Sequence, residues 1–162
     1  MEISVVIPVF NEEESINELY KQLLKALSFC KNYEIIFIDD GSYDDSFINI
    51  ISLADKNKKI KVIQFFRNYG KSAALSEGFR YCSGEYVITL DADLQDDPSE
   101  IKNLISEIDK GYDLVSGWKK DRKDPLSKKI PSRFFNIVTR LSTGVLIHDF
   151  NCGLKAYKKS VV

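Results

Sequence analysis

The sequence predicts an α/β fold, a mostly parallel central sheet flanked by helices, and three observations predict it. Short runs of β-branched and apolar residues alternate with longer stretches whose apolar residues recur at helical spacing. The short runs are apolar almost throughout, as befits strands covered on both faces. Polar residues gather where each of the first four runs ends, and in open parallel sheets that edge is where ligands bind.

Ile3–Val9 (ISVVIPV) opens the series as a buried strand. Asn11 to Ser15 then offers a cap and an acidic first turn for a helix reaching about Ser28, with Ile16, Leu19, Tyr20, Leu23, Leu24 and Leu27 as its apolar set. Tyr33–Ile38 is a second strand, followed by the turn residues Asp39, Asp40, Gly41 and Ser42. Ser46 to Asp55 is a helix with Phe47, Ile50, Ile51 and Ala54 on one face, and Ile60–Phe66 is a third strand. Lys71 to Cys82 is a helix stopping before Gly84, and Glu85–Leu90 is a fourth strand. Pro98 suits the first position of a helix running to about Lys110, and Tyr112–Trp118 is another strand. Residues 119–129 carry six lysines or arginines and no periodic apolar face, which reads as a mobile loop. Phe134 to Leu146 is plausible helix, and Leu154–Tyr157 a final strand.

With 162 residues the chain fits one domain, and its net charge of −1 gives no general attraction to nucleic acid or to an anionic membrane. Affinity for phosphate must come from a local site. Cys30, Cys82 and Cys152 have neither CxxC nor zinc-like spacing and read as free thiols in a reducing compartment. No signal peptide is visible, and no apolar run approaches the roughly 18–20 residues that span a bilayer.

The strand ends deliver Pro8, Phe10, Asn11 and Glu12, then Asp39 and Asp40, then Arg67 and Asn68, then Asp91, Ala92, Asp93 and Gln95. One acidic strand end is commonplace; four in succession point to a site. Asp91 and Asp93, two residues apart, can converge on one divalent cation, and Mg²⁺ and Mn²⁺ prefer such hard oxygen ligands. The competing interpretation is an acidic turn in which Asp97 caps the next helix. Arg67 to Ser72 places two cations and a glycine before a helix N-terminus, an anion-friendly setting, although the GxxxxGK[ST] pattern of a P-loop is absent. A haloacid-dehalogenase phosphatase would carry its DxD after the first strand, and a dehydrogenase would carry GxGxxG there. This chain has PVFNEE instead.

PVFNEE (8–13), DDGS (39–42), RNYGKSAAL (67–75) and DADLQDDP (91–98) together resemble family 2 glycosyltransferases. SGWKKDRKDP (116–125), PSRFFN (131–136) and HDFNCGLKAYK (148–158) are similar to the branch that acts on polyprenyl phosphates, related to dolichyl-phosphate mannose synthase and bacterial undecaprenyl-phosphate glucosyltransferases. The resemblance implies a GT-A fold, a nucleotide-sugar donor, inversion at the anomeric carbon and Mg²⁺ or Mn²⁺ as cofactor. It implies that Pro8, Phe10, Glu12, Ile38 and Asp40 line the nucleoside pocket, with Lys71 at that pocket or the phosphates, and Asp91, Ala92 and Asp93 beside them. Asp91, Asp93 and Gln95 would surround the metal. Asp93, Arg122, Arg133, Asp149 and Lys155 are the implied catalytic set; the arginines would meet the diphosphate or an acceptor phosphate, and Asp149 and Lys155 would border the sugar and acceptor side.

A lipid-phosphate acceptor would bring an oxygen that is already anionic, so positive side chains matter more than a general base. Relatives in that branch continue with amphipathic or membrane-spanning helices, so residues 1–162 are expected to form one catalytic domain at the cytosolic face of a membrane, anchored by a following segment. A soluble enzyme acting on a sugar hydroxyl and a non-catalytic nucleotide-sugar module stay open, as do the donor (UDP-glucose, UDP-GlcNAc or GDP-mannose), self-association, and structural or substrate-facing roles for His148 and Trp118. No nucleic-acid partner is expected.

Overall fold

The computed structural model describes residues 2–118 and 152–162. Among them, the strands are β1 (Ile3–Val9), β2 (Tyr33–Asp39), β3 (Ile60–Gln64), β4 (Tyr86–Thr89), β5 (Leu114–Ser116) and β6 (Lys155–Lys158), and the helices are α1 (Ile16–Ala26), α2 (Ser46–Lys56), α3 (Lys71–Tyr81) and α4 (Ile101–Asp109). The strands form one sheet in the order β3-β2-β1-β4-β6-β5. β1 pairs in parallel with β2 and β4, and β2 with β3, while β6 runs antiparallel between β4 and β5. The expected helix at 134–146 and the basic loop at 119–129 lie outside the described residues.

Strand alternation decides which helix each residue meets. Ile3, Val5, Ile7 and Val9 of β1, with Ile35 and Phe37 of β2 and Ile88 of β4, join the core under α1, α2 and α4. Val6, Ile36, Ile38 and Val87 project to the other face and pack on Ala74 of α3. Helix α3 sits unusually close there: a Cβ on Gly78 would lie 2.3 Å from Val6 Cγ1. α1 buries Ile16, Leu19 and Leu23 against the sheet, followed by Leu27 of a short 3-10 turn, whereas Leu24 of the expected apolar set is exposed.

Two elements depart from expectation. Asn11 to Ser15 does not cap α1 through its side chains; the helix starts at Ile16, and the Ser15 hydroxyl donates to the Glu12 carbonyl and carboxylate instead. The last strand, expected merely to extend the series, inserts between β4 and β5, which no local pattern specifies.

The amino edge of the sheet is tied by one buried carboxylate. Glu34 Oε1 accepts from the Ser4 hydroxyl at 2.6 Å and from the Ser83 N–H and hydroxyl at 2.7 and 2.8 Å, while Lys61 Nζ stands 2.6 Å from Oε2. These groups belong to β1, β2, β3 and the turn before β4. Burial opposes the charge, but Lys61 and the three donors outweigh it and hold the Glu34 carboxyl down at about 2. A carboxyl lowered from 4.5 to about 2 contributes stability that is complete above pH 4.5 and lost as pH falls towards 2. Glu34→Ala is therefore expected to cost about 3 kcal/mol in urea unfolding at pH 7, with the gap to wild type narrowing steadily below pH 4.5.

Candidate active site

At the opposite, carboxyl edge, the loops after β1, β2, β3 and β4 enclose a cavity of about 330 Å³ lined by Pro8, Val9, Phe10, Glu12, Asp40, Asn68, Gly70, Lys71, Asp91, Ala92 and Asp93. Its size suits a small ligand. Of the expected nucleoside-pocket residues, Pro8, Phe10, Glu12 and Asp40 reach it, as do Lys71, Asp91, Ala92 and Asp93.

Ile38 does not. It lies on the α3 face of β2, fully buried beside Ile36 and Ala74, because it is still within the strand and covered by α3, whereas Asp40 lies just past the strand end. Gln95 also departs from the expected metal set. Leu94 adopts a positive φ of 60°, the chain turns, and Gln95 lines a neighbouring groove with Phe29, Pro98 and Lys102; only its backbone N–H reaches back, donating to Asp93 Oδ1 at 3.1 Å. Lys155 opens β6 opposite Thr89 and Ser116 at the carboxyl edge, outside the cavity lining. Arg122, Arg133, Asp149 and His148 lie outside the described residues. The acidic-turn interpretation of 91–98 holds in one respect, since Asp97 accepts from Ser99 N–H at the start of the following helical turn. It accounts for Asp97 but not for Asp91 or Asp93.

The loops are fixed before any ligand arrives. The β1 and β2 loops bond reciprocally: Asn11 N–H donates to the Ser42 hydroxyl oxygen, Glu12 N–H to that of Ser46, and Tyr43 N–H to Asn11 Oδ1, at 3.0, 2.7 and 2.9 Å. Asn11 takes φ 55° to make these bonds, which is the role of the polar NEE run that a capping interpretation misses. Phe10 meets Tyr43 edge to face at 5.8 Å, forming an aromatic lip.

Asp40 is committed to backbone. Its Oδ1 accepts from Tyr69 N–H at 2.8 Å and its Oδ2 from Gly70 N–H at 2.9 Å. Gly70 caps α3 with φ 93° and no capping side chain, so the clamp sets the position from which Lys71, the first residue of α3, departs. Gly41, at φ 73°, lets the β2 loop pass against the Arg67 and Asn68 backbone; a Cβ there would stand 2.5 Å from Arg67 C.

Lys71 Nζ lies 2.5 Å from Asp91 Oδ1. The other side of Asp91 leans on Gly153, where a Cβ would fall 2.4 Å from the carboxylate carbon. The sequence signals this contact only through the glycine that follows Cys152. Burial raises the Glu12 carboxyl above its ordinary value, and although the Ser15 hydroxyl lowers it, the charges of Asp93, Asp44 and Asp91 push it up further. Among the described residues, Glu12, Asp91 and Asp93 thus share one negative cavity with a single lysine, Lys71. The chemistry of that donor set is oxygen only, suited to a hard divalent cation. Among the described residues no three such side chains converge as a preformed metal cage. Two carboxylates with the remaining positions left to water and phosphate is the usual arrangement for Mg²⁺.

The cavity lies at the switch between β1 and β4 of a mostly parallel sheet, where open α/β sheets bind ligands, and the fold is the GT-A fold shared with the solved glycosyltransferases described below. The chain belongs to glycosyl transferase family 2, whose profile matches residues 4–162. It is 43% identical over 163 residues to the undecaprenyl-phosphate 4-deoxy-4-formamido-L-arabinose transferase of Shewanella sediminis (strain HAW-EB3), covering 99% of this chain and 49% of that protein. A protein of the same name from Pseudomonas aeruginosa (strain LESB58) is 41% identical over 162 residues, with 99% and 48% covered. The chain thus spans about half the length of these curated relatives. Among solved structures, glucosyl-3-phosphoglycerate synthase from Mycobacterium tuberculosis with Mn²⁺, UDP and phosphoglyceric acid gives a TM-score of 0.76 at 23% identity, covering 99% of this chain and 56% of that one. A mannosyltransferase from Pyrobaculum calidifontis with GDP-mannose and Mn²⁺ gives 0.73 at 22%, covering 99% and 45%. These two carry the fold.

Replacing Asp40 by alanine would leave two N–H groups at the start of α3 without their acceptor. Asp40→Ala is expected to lower unfolding free energy by about 2 kcal/mol or more, read by urea denaturation. Asp40→Glu, unable to place both oxygens equally, is expected to fall between that variant and wild type.

Proposed function

We propose that this chain is the donor-binding catalytic part of an inverting glycosyltransferase that moves a sugar from a UDP- or GDP-linked donor to a polyprenyl phosphate. The observation that carries this reading is the cavity at the carboxyl edge, where Asp91, Asp93 and Glu12 face Lys71 beneath the aromatic lip of Phe10. The undecaprenyl-phosphate sugar transferases at 41–43% identity support the acceptor class. Structures of the same fold that hold UDP or GDP-mannose with Mn²⁺ support the donor class and the ion.

In this reading Phe10 and Pro8 receive the nucleoside, and Asp40 acts by holding the Tyr69–Gly70 backbone beside it. Asp91 and Asp93 would hold Mg²⁺ or Mn²⁺, which when bound neutralises charge on the departing nucleoside diphosphate. Lys71 and the exposed N-terminus of α3 present positive potential to the same phosphates. The attacking oxygen of a lipid phosphate is anionic near neutral pH, so the protein need not remove a proton from it. What it must do is bring two anions together. Arg122 and Arg133 are assigned that task, with Asp149 and Lys155 bordering the sugar. A lipid acceptor implies work at a membrane surface, and its cytosolic face is the side proposed. Among the described residues no helix is long and apolar enough to cross a membrane.

Asp91→Asn and Asp93→Asn are each expected to lower sugar transfer to undecaprenyl phosphate by at least about 100-fold without loss of the folded state by circular dichroism. EDTA should abolish wild-type transfer and Mn²⁺ should restore it. Transfer that survives both substitutions would sink the mechanism. Transfer to a sugar hydroxyl but not to the lipid phosphate would sink the acceptor assignment. Calorimetry with UDP and GDP, each with Mn²⁺, is expected to show one strong binder and so name the base.

A further inference from the structure

We infer that Lys71 is a resident counterion of Asp91, and that a divalent cation takes Asp91 by displacing this ammonium onto the donor's diphosphate. The inference rests on the donor reading above and adds a coupling between metal and nucleotide that the reading does not contain.

Four observations carry it. Lys71 Nζ is 2.5 Å from Asp91 Oδ1, the ligand atom a metal would need. Among the described residues, the lining of the cavity holds four carboxylates, Glu12, Asp40, Asp91 and Asp93, and one cation, Lys71. Both oxygens of Asp40 are bonded to the neutral N–H groups of Tyr69 and Gly70, so its negative charge is anchored in the cavity rather than neutralised. Asp91 packs closely on the Gly153 backbone, where a Cβ would fall 2.4 Å from its carboxylate carbon, which leaves its carboxylate less room than the Lys71 ammonium.

Of the two, Lys71 has the more room to move. Its backbone is fixed at the first turn of α3 by the Asp40 clamp, but its side chain is 50% exposed and ends on a flexible four-carbon stem. An ammonium and a divalent cation repel each other at this spacing, so the two exclude one another at Asp91. The vacated ammonium stays within the same cavity, where an incoming diphosphate offers it a new anionic partner. Metal alone therefore displaces the ammonium from Asp91 without bringing it a new partner, whereas metal together with diphosphate exchanges one pair for another. Binding of the two is cooperative, and by linkage each strengthens the other by the same factor.

The test is Mn²⁺ binding by electron paramagnetic resonance to the full-length protein, with and without UDP or GDP, in wild type, Lys71→Met and Lys71→Arg. The signal of Mn²⁺ complexed to nucleotide in solution is subtracted, and thermal melts confirm the folded state. Without nucleotide, Lys71→Met is expected to bind Mn²⁺ about tenfold more tightly than wild type, since no ammonium competes for Asp91. The factor by which nucleotide tightens Mn²⁺ binding is expected to shrink by about the same amount in that variant, while Lys71→Arg keeps the wild-type pattern. Equal or weaker Mn²⁺ binding by nucleotide-free Lys71→Met overturns the exchange. If wild type binds no Mn²⁺ even with nucleotide, the donor reading itself falls, and the exchange with it.

Discussion

Asp40 accepts two hydrogen bonds from the backbone of Tyr69 and Gly70, and much of the site's geometry descends from that pair. The clamp joins the end of β2 to the start of α3. It holds Gly70 at a φ that other residues avoid, and so fixes the first residue of the helix. From there Lys71 reaches Asp91, and Asp91 rests against Gly153 at the entrance to β6. Four segments far apart in sequence are thereby brought to one point. A charged acceptor suits this job because hydrogen bonds to carboxylates are roughly twice as strong as neutral ones.

The two edges of the sheet solve the same electrostatic problem in opposite ways. At the amino edge Glu34 is buried, yet Lys61, Ser4 and Ser83 satisfy it so fully that its carboxyl is held at about 2. At the carboxyl edge Glu12 is raised by burial and by the aspartates around it. The first arrangement spends its charges on holding strands together; the second leaves them for a ligand. A carboxyl raised by burial and by neighbouring carboxylates in a cleft makes the carboxyl edge a candidate functional site. Because β1 takes part in both edges, with Ser4 near one end and Pro8 at the other, a rigid central strand connects the closed network to the open one.

The elements that sequence shows best are those with a strong local period. β1 and the starts of α2 and α3 fall where the apolar pattern puts them. The parallel core was legible because β-branched runs such as ISVVIPV suit strands buried on both faces. The cavity was legible too, since parallel strands deliver Pro8, Asp40 and Asp91 to one edge once their ends are aligned. What was not legible depends on contacts remote in sequence. Ile38 follows the alternation of β2 into the α3 face. Gln95 follows the left-handed turn at Leu94 into a different groove. Asp40 has its acceptor capacity used by backbone thirty residues away, as the bonds to Tyr69 and Gly70 show. The antiparallel insertion of β6 likewise reflects competition among whole strands for one sheet position.

That insertion has a consequence for how such a protein can diversify. β5 and β6 are hydrogen-bonded neighbours, and Gly117 N–H donates to the Leu154 carbonyl at 2.9 Å just where the strands approach the carboxyl edge. The sheet therefore fixes Gly117 and Leu154 side by side, and the connection between them begins and ends at the edge that holds the clamp, the lysine and the aspartates. Doubling the length of a connection closed in this way costs only about 0.6 kcal/mol in loop entropy. The topology thus lets the length of this connection vary at little cost to the fold, while its two ends stay beside the chemistry.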